Sequence, residues 1–274
     1  MQAAEIEREI LRILEQGAAA MQKIVDAYLA QRTPQRDHNW ICLQMAKEFG
    51  AIALHTDRVK LAIEAGKSPR EVDDIVETVK EEVAHYQGYR QVLNRLVGED
   101  GELPVADMYE YLLMDVRRDG MHFHPIMARN PDRWPENRKY VQMAMDSFRT
   151  LDRWSAAVVA ATFEGGAAGW HWAMSQMPAQ DDFIKGAAMV QRGIALDELH
   201  HGPEEIRGLM AQYTPDMAVD LPGLFRTLRE MRYQEARQRN EQFLHPLSEP
   251  EMEALRRELL DDTIAPLALY REAA

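Results

Sequence analysis

The residues of this sequence best suited to chemistry form two Glu-x-x-His pairs, each preceded by a separate glutamate. In the first half, Glu48 is followed 34 residues later by Glu82, and His85 completes the pair. The same spacing returns 116 residues further along the chain, in Glu164, Glu198 and His201. The i, i+3 spacing puts the glutamate and the histidine of each pair on one face of a helix. Carboxylates and imidazoles in this arrangement are suited to binding a divalent metal ion.

One Glu-x-x-His is a weak signal, because both residue types are common in helices. The specificity comes from the repetition, since each pair follows its lone glutamate at the same distance. The surrounding residues do not repeat well, so the polar positions are shared while the packing residues differ. A purely structural origin of the pattern is the alternative.

Helices are expected to position these residues, and strand signals are absent from the sequence. Proline at a first helical position and capping-box residues mark two helix starts, after Ser68 and after Ser248, and Asp181 is suited to capping a third. Helices are predicted near residues 3–30, 36–65, 69–97, 104–118, 137–176 (one helix or two), 182–212, 218–243 and 249–272. A proline-rich connection is predicted at 122–136.

Each glutamate-to-glutamate interval is centred on a turn signal. The midpoints are residue 65, beside Gly66 and Ser68, and residue 181, beside Pro178. Two antiparallel helices that turn at the midpoint bring their glutamates to the same height, about 25 Å from the turn. These glutamates also lie in apolar helical stripes, where an unpaired carboxylate is costly. Two divalent metal ions would supply the positive charge that such a site needs.

This pattern resembles the ferritin-like di-metal carboxylate proteins, in which two helices of a four-helix bundle each donate one glutamate and two donate Glu-x-x-His. The resemblance covers about residues 36–212. It implies an all-α, ferritin-like four-helix bundle with additional N- and C-terminal helices in a single domain, 1–274. Residues 213–274 would then form a C-terminal helical hairpin, a packing or dimer arm. By the resemblance, Glu48, Glu82 and His85 would bind one metal and the second set the other, with Glu82 and Glu198 as bridges.

Four further residues are candidates for supporting the metal ligands. In oxygen-activating members of the family, an acid just before each Glu-x-x-His supports a metal-bound histidine. The resemblance therefore pairs Glu81 with His201 and Asp197 with His85, against the alternative of ordinary exposed acids. His55 and His171 each lie seven residues after a predicted ligand, about 10.5 Å along the helix. A hydrogen-bonded core histidine is favoured for both over a supporting or channel role.

Several features near the second set leave alternatives open. Gly165 and Gly166 allow either close helix contact or space for a substrate. Gly202-Pro203 directly follows His201, and the proline is expected to distort the helix there. His122, His124 and Trp134 belong to the proline-rich connection, which is either a lid or an ordinary loop.

The resemblance implies an enzyme, a di-iron oxidase or oxygenase (a monooxygenase included) that activates O2 and oxidises a small organic substrate. The cofactor would be two Fe ions, with Mn as the alternative, and the electrons would come from a donor protein or from the substrate. The alternatives are a manganese catalase that dismutates hydrogen peroxide and a ferroxidase that handles iron. A non-enzymatic interaction protein is the last possibility. Hydroxylation, desaturation, N-oxygenation and oxidative cleavage all stay open.

Composition argues against several classes of partner and structure. Acidic residues outnumber basic ones, 45 to 32, for a net charge of −13. This charge disfavours nucleic acid and anionic membrane surfaces as partners. The single cysteine, Cys42, excludes an intrachain disulfide, and the longest apolar run, 156–163, is too short to cross a bilayer. We expect a cytoplasmic protein, and the resemblance to the family implies a homodimer.

Overall fold

The computed structural model describes residues 1–98 and 105–270, and 76% of the structure is helical. The all-α prediction is thus confirmed at the level of helical content. Among the described helices, none combines the length and the apolar character that crossing a membrane requires. The described α-helices are α1 (Ala3–Ala30), α2 (Pro34–Glu64), α3 (Pro69–Val97), α4 (Val105–Tyr111), α5 (Pro135–Thr150), α6 (Arg153–Ser175), α7 (Asp182–Met210), α8 (Leu221–Gln242) and α9 (Glu249–Leu260).

The capping residues named in the sequence begin their helices as predicted. The Ser68 hydroxyl accepts the backbone N–H of Glu71, and the Glu71 carboxylate accepts the N–H of Ser68 in return. Ser248 begins α9 with the same capping box, and Asp181 accepts the N–H of Ile184 at the start of α7. The 137–176 segment forms two helices. Helix α5 ends at Thr150, and the Asp152 carboxylate caps the start of α6.

The helix predicted at 104–118 is wrong over its second half, and the expected absence of strands is wrong as well. Residue 104 lies outside the described residues. The helix predicted at 249–272 is wrong beyond residue 260, because α9 ends at Leu260 and residues 261–270 are not helical; residues 271 and 272 lie outside the described residues. Helix α4 ends at Tyr111, and the strands β1 (Met114–Arg117) and β2 (Gly120–Phe123) pair antiparallel. Gly120 has a φ of 124°, which other residues rarely adopt. The Asp119-Gly120 dipeptide was the hairpin signal in the sequence.

Residues 33–135 and 181–186 form one compact unit, called here the α2–α3 unit. Its centre is the pair of long helices α2 and α3, and both α4 and β1 pack against α2. Gly50 permits close approach on α2, because a Cβ there would lie 2.9 Å from the carbonyl oxygen of Leu112. The backbone N–H of Val116 donates to Asp57 on the same helix, which fastens the hairpin to α2.

Residues 1–32, 136–180 and 187–274 form the other unit, called here the α1–α8 unit. Helix α1 packs against both α6 and α8, and α8 packs against α9. The Glu15 carboxylate accepts the backbone N–H groups of Leu269 and Tyr270, so the described end of the chain is fastened to α1. The helices of 213–274 thus pack within this unit. A dimer role for them, and the single-domain interpretation, remain predictions.

The adjacent glycines of α6 serve close packing. A Cβ at Gly166 would lie 1.3 Å from Nη1 of Arg232, and one at Gly165 would lie 2.6 Å from Cδ1 of Leu14. Arg232 is 1% exposed, and its Nη1 lies 2.8 Å from the buried carboxylate of Glu235. Of the two interpretations that the sequence left open, close contact accounts for both glycines.

We predict that Gly166→Ala lowers the free energy of unfolding by about 2 kcal/mol, because the new methyl group overlaps a buried guanidinium that is held by its ion pair. The control is Gly208→Ala on α7, where a Cβ would meet nothing within 4 Å. This control is expected to gain about 0.5 kcal/mol from helix propensity. Urea unfolding measures both values, and equal effects of the two substitutions would contradict the packing assignment.

Candidate metal centre

Helices α2 and α3 bring together three of the predicted ligands. Glu48 lies on α2, and Glu82 and His85 lie one turn apart on α3. The His85 Nδ1 atom is 3.7 Å from Oε2 of Glu48 and 3.6 Å from Oε2 of Glu82. One ligand atom from each residue falls within 4.8 Å of the others, which is a spacing that a metal ion can bridge. The predicted convergence of these three residues is observed.

The turn between α2 and α3 sets this convergence. Helix α2 ends at Glu64, Gly66 adopts a φ of 68°, and Ser68 caps α3. Glu48 and Glu82 therefore stand at nearly equal distances from the turn, on antiparallel helices. Their equal height follows from the helical rise, as the sequence interval predicted.

The three side chains are charged groups with little exposure to water. Glu48 is 6% exposed, and Glu82 and His85 are half-buried. Burial, together with the neighbouring charge of Glu48, raises the pKa of Glu82 to about 7. Burial by itself would lower the pKa of His85, but its interactions with the carboxylates of Glu48 and Glu82 outweigh it and raise that pKa to about 10. Without a metal ion, a proton on His85 supplies the positive charge between the two carboxylates.

Two further side chains lie beside the carboxylates, and one of them is hydrogen-bonded to its carboxylate. Gln44, one turn before Glu48, donates from Nε2 to Oε1 of Glu48 at 2.7 Å. His55 is buried, with its Nε2 atom 3.9 Å from Oε1 of Glu82. The guanidinium of Arg58 lies 3.1 Å from Nδ1 of His55 and donates to it, so the proton of a neutral imidazole is on Nε2, facing Glu82.

The repeat in the sequence points to His55 and gives no signal for Gln44. His55 was placed correctly along α2, two turns from Glu48, but Glu82 approaches it from α3. It is a hydrogen-bonded buried histidine that also adjoins the candidate ligands. Gln44 was missed, although its position four residues before Glu48 is the helical spacing that permits such a bond.

The second set of predicted ligands belongs to α6 and α7. The side chain of Glu164 lies outside the described part of the structure, so the set of three remains a prediction. Glu198 and His201 are both half-buried on α7, which continues through Pro203 to Met210. His171 is buried, and its Nδ1 atom is 2.6 Å from Oε1 of Gln191.

The outer acids differ in their exposure. Glu81 is half-buried, whereas Asp197 is exposed. Their predicted support of His201 and His85 stays a prediction, as does bridging by Glu82 and Glu198.

The residues considered for a lid have local structural roles. His124 accepts the backbone N–H of Ile126 and begins a short 3-10 helix at Pro125–Ala128. Trp134 is buried with its ring edge-on to Tyr111, at a centroid distance of 5.1 Å. These contacts favour an ordered connection within the α2–α3 unit.

In comparisons with known proteins, no family model, no curated protein and no solved structure matches this chain. The ligand geometry therefore carries the functional argument.

We predict that Glu82→Gln weakens metal binding at least about 100-fold, because it removes an anionic ligand and keeps the shape of the side chain. The free energy of unfolding of the metal-free protein should not fall, since a half-buried charge is removed. The control, Glu77→Gln, lies on the exposed face of α3, where Glu77 pairs with Lys80. Isothermal titration with Mn²⁺ measures affinity, and undiminished binding by Glu82→Gln would refute the ligand assignment.

We predict that metal affinity keeps rising with pH above neutrality. Because the pKa of His85 is about 10 in the metal-free protein, binding must displace its proton throughout the range below that value. The affinity should gain about tenfold per pH unit between pH 7 and 9. Mn²⁺ titration at several pH values tests this dependence. An affinity that levels off above pH 7 would show that His85 has an ordinary pKa.

Proposed function

We propose that this protein is a non-haem di-iron oxidase or oxygenase that uses O2 to oxidise a small organic substrate. The observation that carries the proposal is the convergence of Glu48, Glu82 and His85, all largely shielded from water, at the level set by the α2–α3 turn. The second support is the sequence repeat, which provides the same three residue types on α6 and α7.

The donor set is chemically suited to iron. Carboxylate oxygens and an imidazole nitrogen bind Fe and Mn, whereas the cysteine thiolates preferred by softer metals are absent from the set. Bound iron would supply the redox chemistry for reaction with O2, which the amino-acid side chains lack. Two ions per chain follow from the repeat, and Mn remains the alternative metal.

The side chains around the ligands define their orientation. Gln44 holds Oε1 of Glu48, which leaves Oε2 on the side of His85. His55 faces the other carboxylate, and Arg58 fixes which of its nitrogens carries the proton. Ligands held in this way are pre-organised, and such outer contacts tune both metal affinity and ligand basicity.

Aromatic residues are the next neighbours in sequence of two of the ligands. Phe49 and Tyr86 directly follow Glu48 and His85 in the sequence, and Phe49 also contacts Tyr109 at a centroid distance of 5.0 Å. All three rings are half-buried. The low exposure of Glu48, Glu82 and His85 suits oxidation of an organic substrate, because water is kept away from the reacting atoms. The electrons would come from a donor protein or from the substrate.

The test begins with anaerobic loading of the full-length protein with Fe²⁺. We predict about two irons per chain by elemental mass spectrometry and rapid O2 consumption in an oxygen electrode. Glu82→Gln should lose both properties, while Glu77→Gln should retain them.

Other results would support the alternatives. Evolution of O2 from hydrogen peroxide by Mn-loaded protein would favour a catalase. Retention of many irons in a large shell would favour iron storage. Two bound irons without O2 consumption would refute the oxidase or oxygenase proposal and leave the metal site intact.

A further inference from the structure

A groove in the α1–α8 unit lies where α8 begins and α9 ends. Its volume is about 550 Å³, which is within the range of pockets that bind small molecules. The residues that line it include Phe225, Arg226, Arg229, Glu230, Leu260 and Asp261. None of the candidate metal ligands belongs to this lining, so the groove has a chemistry of its own.

Two ion pairs join α8 to α9 and define how the two helices are aligned. Nη1 of Arg237 lies 2.9 Å from Oε2 of Glu249, and Nη2 of Arg256 lies 3.0 Å from Oε1 of Glu230. Seven residues toward the start of α8 thus correspond to seven residues toward the end of α9, as the equal rise of two antiparallel helices requires. Four further residues lead to Arg226 on α8 and to the last residue of α9. The groove therefore forms where α9 stops and α8 continues.

Of the four charged residues that line the groove, two are neutralised by neighbours. Arg229 pairs with Glu9 at 2.6 Å, and Glu230 belongs to one of the two ion pairs described above. Arg226 and Asp261 are exposed, and neither side chain forms a hydrogen bond or an ion pair with any residue that the structure describes. The groove is thus left with one cation and one anion that have no partner among the described residues.

Apolar side chains form another part of the lining. Phe225 is only 9% exposed, and Leu260 is half-buried. Asp261 is the C-cap of α9, where the last backbone carbonyl groups of the helix add partial negative charge beside its carboxylate. The groove therefore offers a cationic group, an anionic region and apolar surface within the space of one small molecule.

We propose that this groove binds a free α-amino acid with an apolar side chain. The carboxylate of the ligand accepts N–H groups of Arg226, and the ammonium group of the ligand donates to Asp261. Its apolar side chain packs on Phe225 and Leu260. An α-amino acid carries both charges on one carbon atom, so it satisfies two opposite charges in a single groove. A ligand with only one charge leaves the other protein charge without a partner.

The groove is assigned to binding rather than to covalent chemistry. Its lining, as far as the structure describes it, contains no serine, cysteine, histidine or lysine, so the usual nucleophiles are absent. Because Arg226 and Asp261 are exposed, each contact competes with water and contributes modestly. We therefore expect a dissociation constant of about 0.1 to 1 mM. Binding here does not depend on the proposed reaction with O2, so either proposal can fail without the other.

The first experiment compares L-leucine with two analogues that each lack one charge. 4-Methylpentanoate keeps the carboxylate and the branched chain, and 3-methylbutylamine keeps the ammonium group and the branched chain. Saturation-transfer NMR on the full-length protein, with each ligand titrated to about 20 mM, measures the three affinities. We expect L-leucine to bind at least about fivefold more tightly than either analogue, because it alone pairs with both Arg226 and Asp261.

The second experiment removes each protein charge in turn. In Arg226→Gln, L-leucine should bind no more tightly than 3-methylbutylamine, because its carboxylate has lost its partner. In Asp261→Asn, it should bind no more tightly than 4-methylpentanoate. The control is Arg257→Gln, which removes the same charge from an exposed position of α9 outside the lining of the groove. We expect this control to keep its affinity for L-leucine within about twofold. Circular dichroism checks the helix content of each variant.

Three results would overturn the proposal. The first is a wild-type protein that binds no L-leucine up to about 20 mM. The second is equal affinity of the wild-type protein for L-leucine and for either analogue, which would show that one of the two charges is not recognised. The third is equal weakening by Arg226→Gln and Arg257→Gln, which would show that the ligand responds to the overall charge of the protein and not to this groove.

Discussion

Burial of two like-charged carboxylates is the constraint on which the candidate site depends. Glu48 and Glu82 both adjoin His85 and have little exposure to water, and the raised pKa of Glu82 expresses the cost of this arrangement. In the metal-free protein, the cost is partly offset by a proton on His85. A divalent cation would offset it more fully, since it would carry two charges and could bond directly to all three side chains. The proposal of a metal site at these residues rests on this electrostatic requirement.

Local backbone signals place the carboxylates opposite each other. Gly66 supplies the positive φ of the turn, and Ser68 with Glu71 supplies the capping box from which α3 begins. With the turn fixed, the rise of the helix determines the height of every residue on both arms. The interaction of Gln44 and His55 with the ligands then depends on how closely α2 and α3 pack.

The α1–α8 unit also buries a charged side chain, in this case the guanidinium of Arg232. Arg232 enters the helical core beside Glu235, and α6 accommodates its guanidinium with a glycine at 166. A side chain from another helix, 66 residues away in sequence, therefore leaves room only for glycine at position 166. The interpretation as substrate space arose because a glycine pair looks the same in a sequence whether a ligand or a neighbouring side chain occupies the gap.

Helical content, most helix starts and the convergence of Glu48, Glu82 and His85 could be predicted from the sequence, because periodicity and capping residues act over a few residues. The sequence also carried the Asp119-Gly120 signal for the β1–β2 hairpin, which was overlooked. The approach of His55 to Glu82 and the packing role of the adjacent glycines of α6 could not be predicted and are seen in the folded structure. The physical reason is that the sequence pattern specifies a residue's angle and height on its own helix. The distance to a neighbouring helix depends on how the side chains of both helices pack.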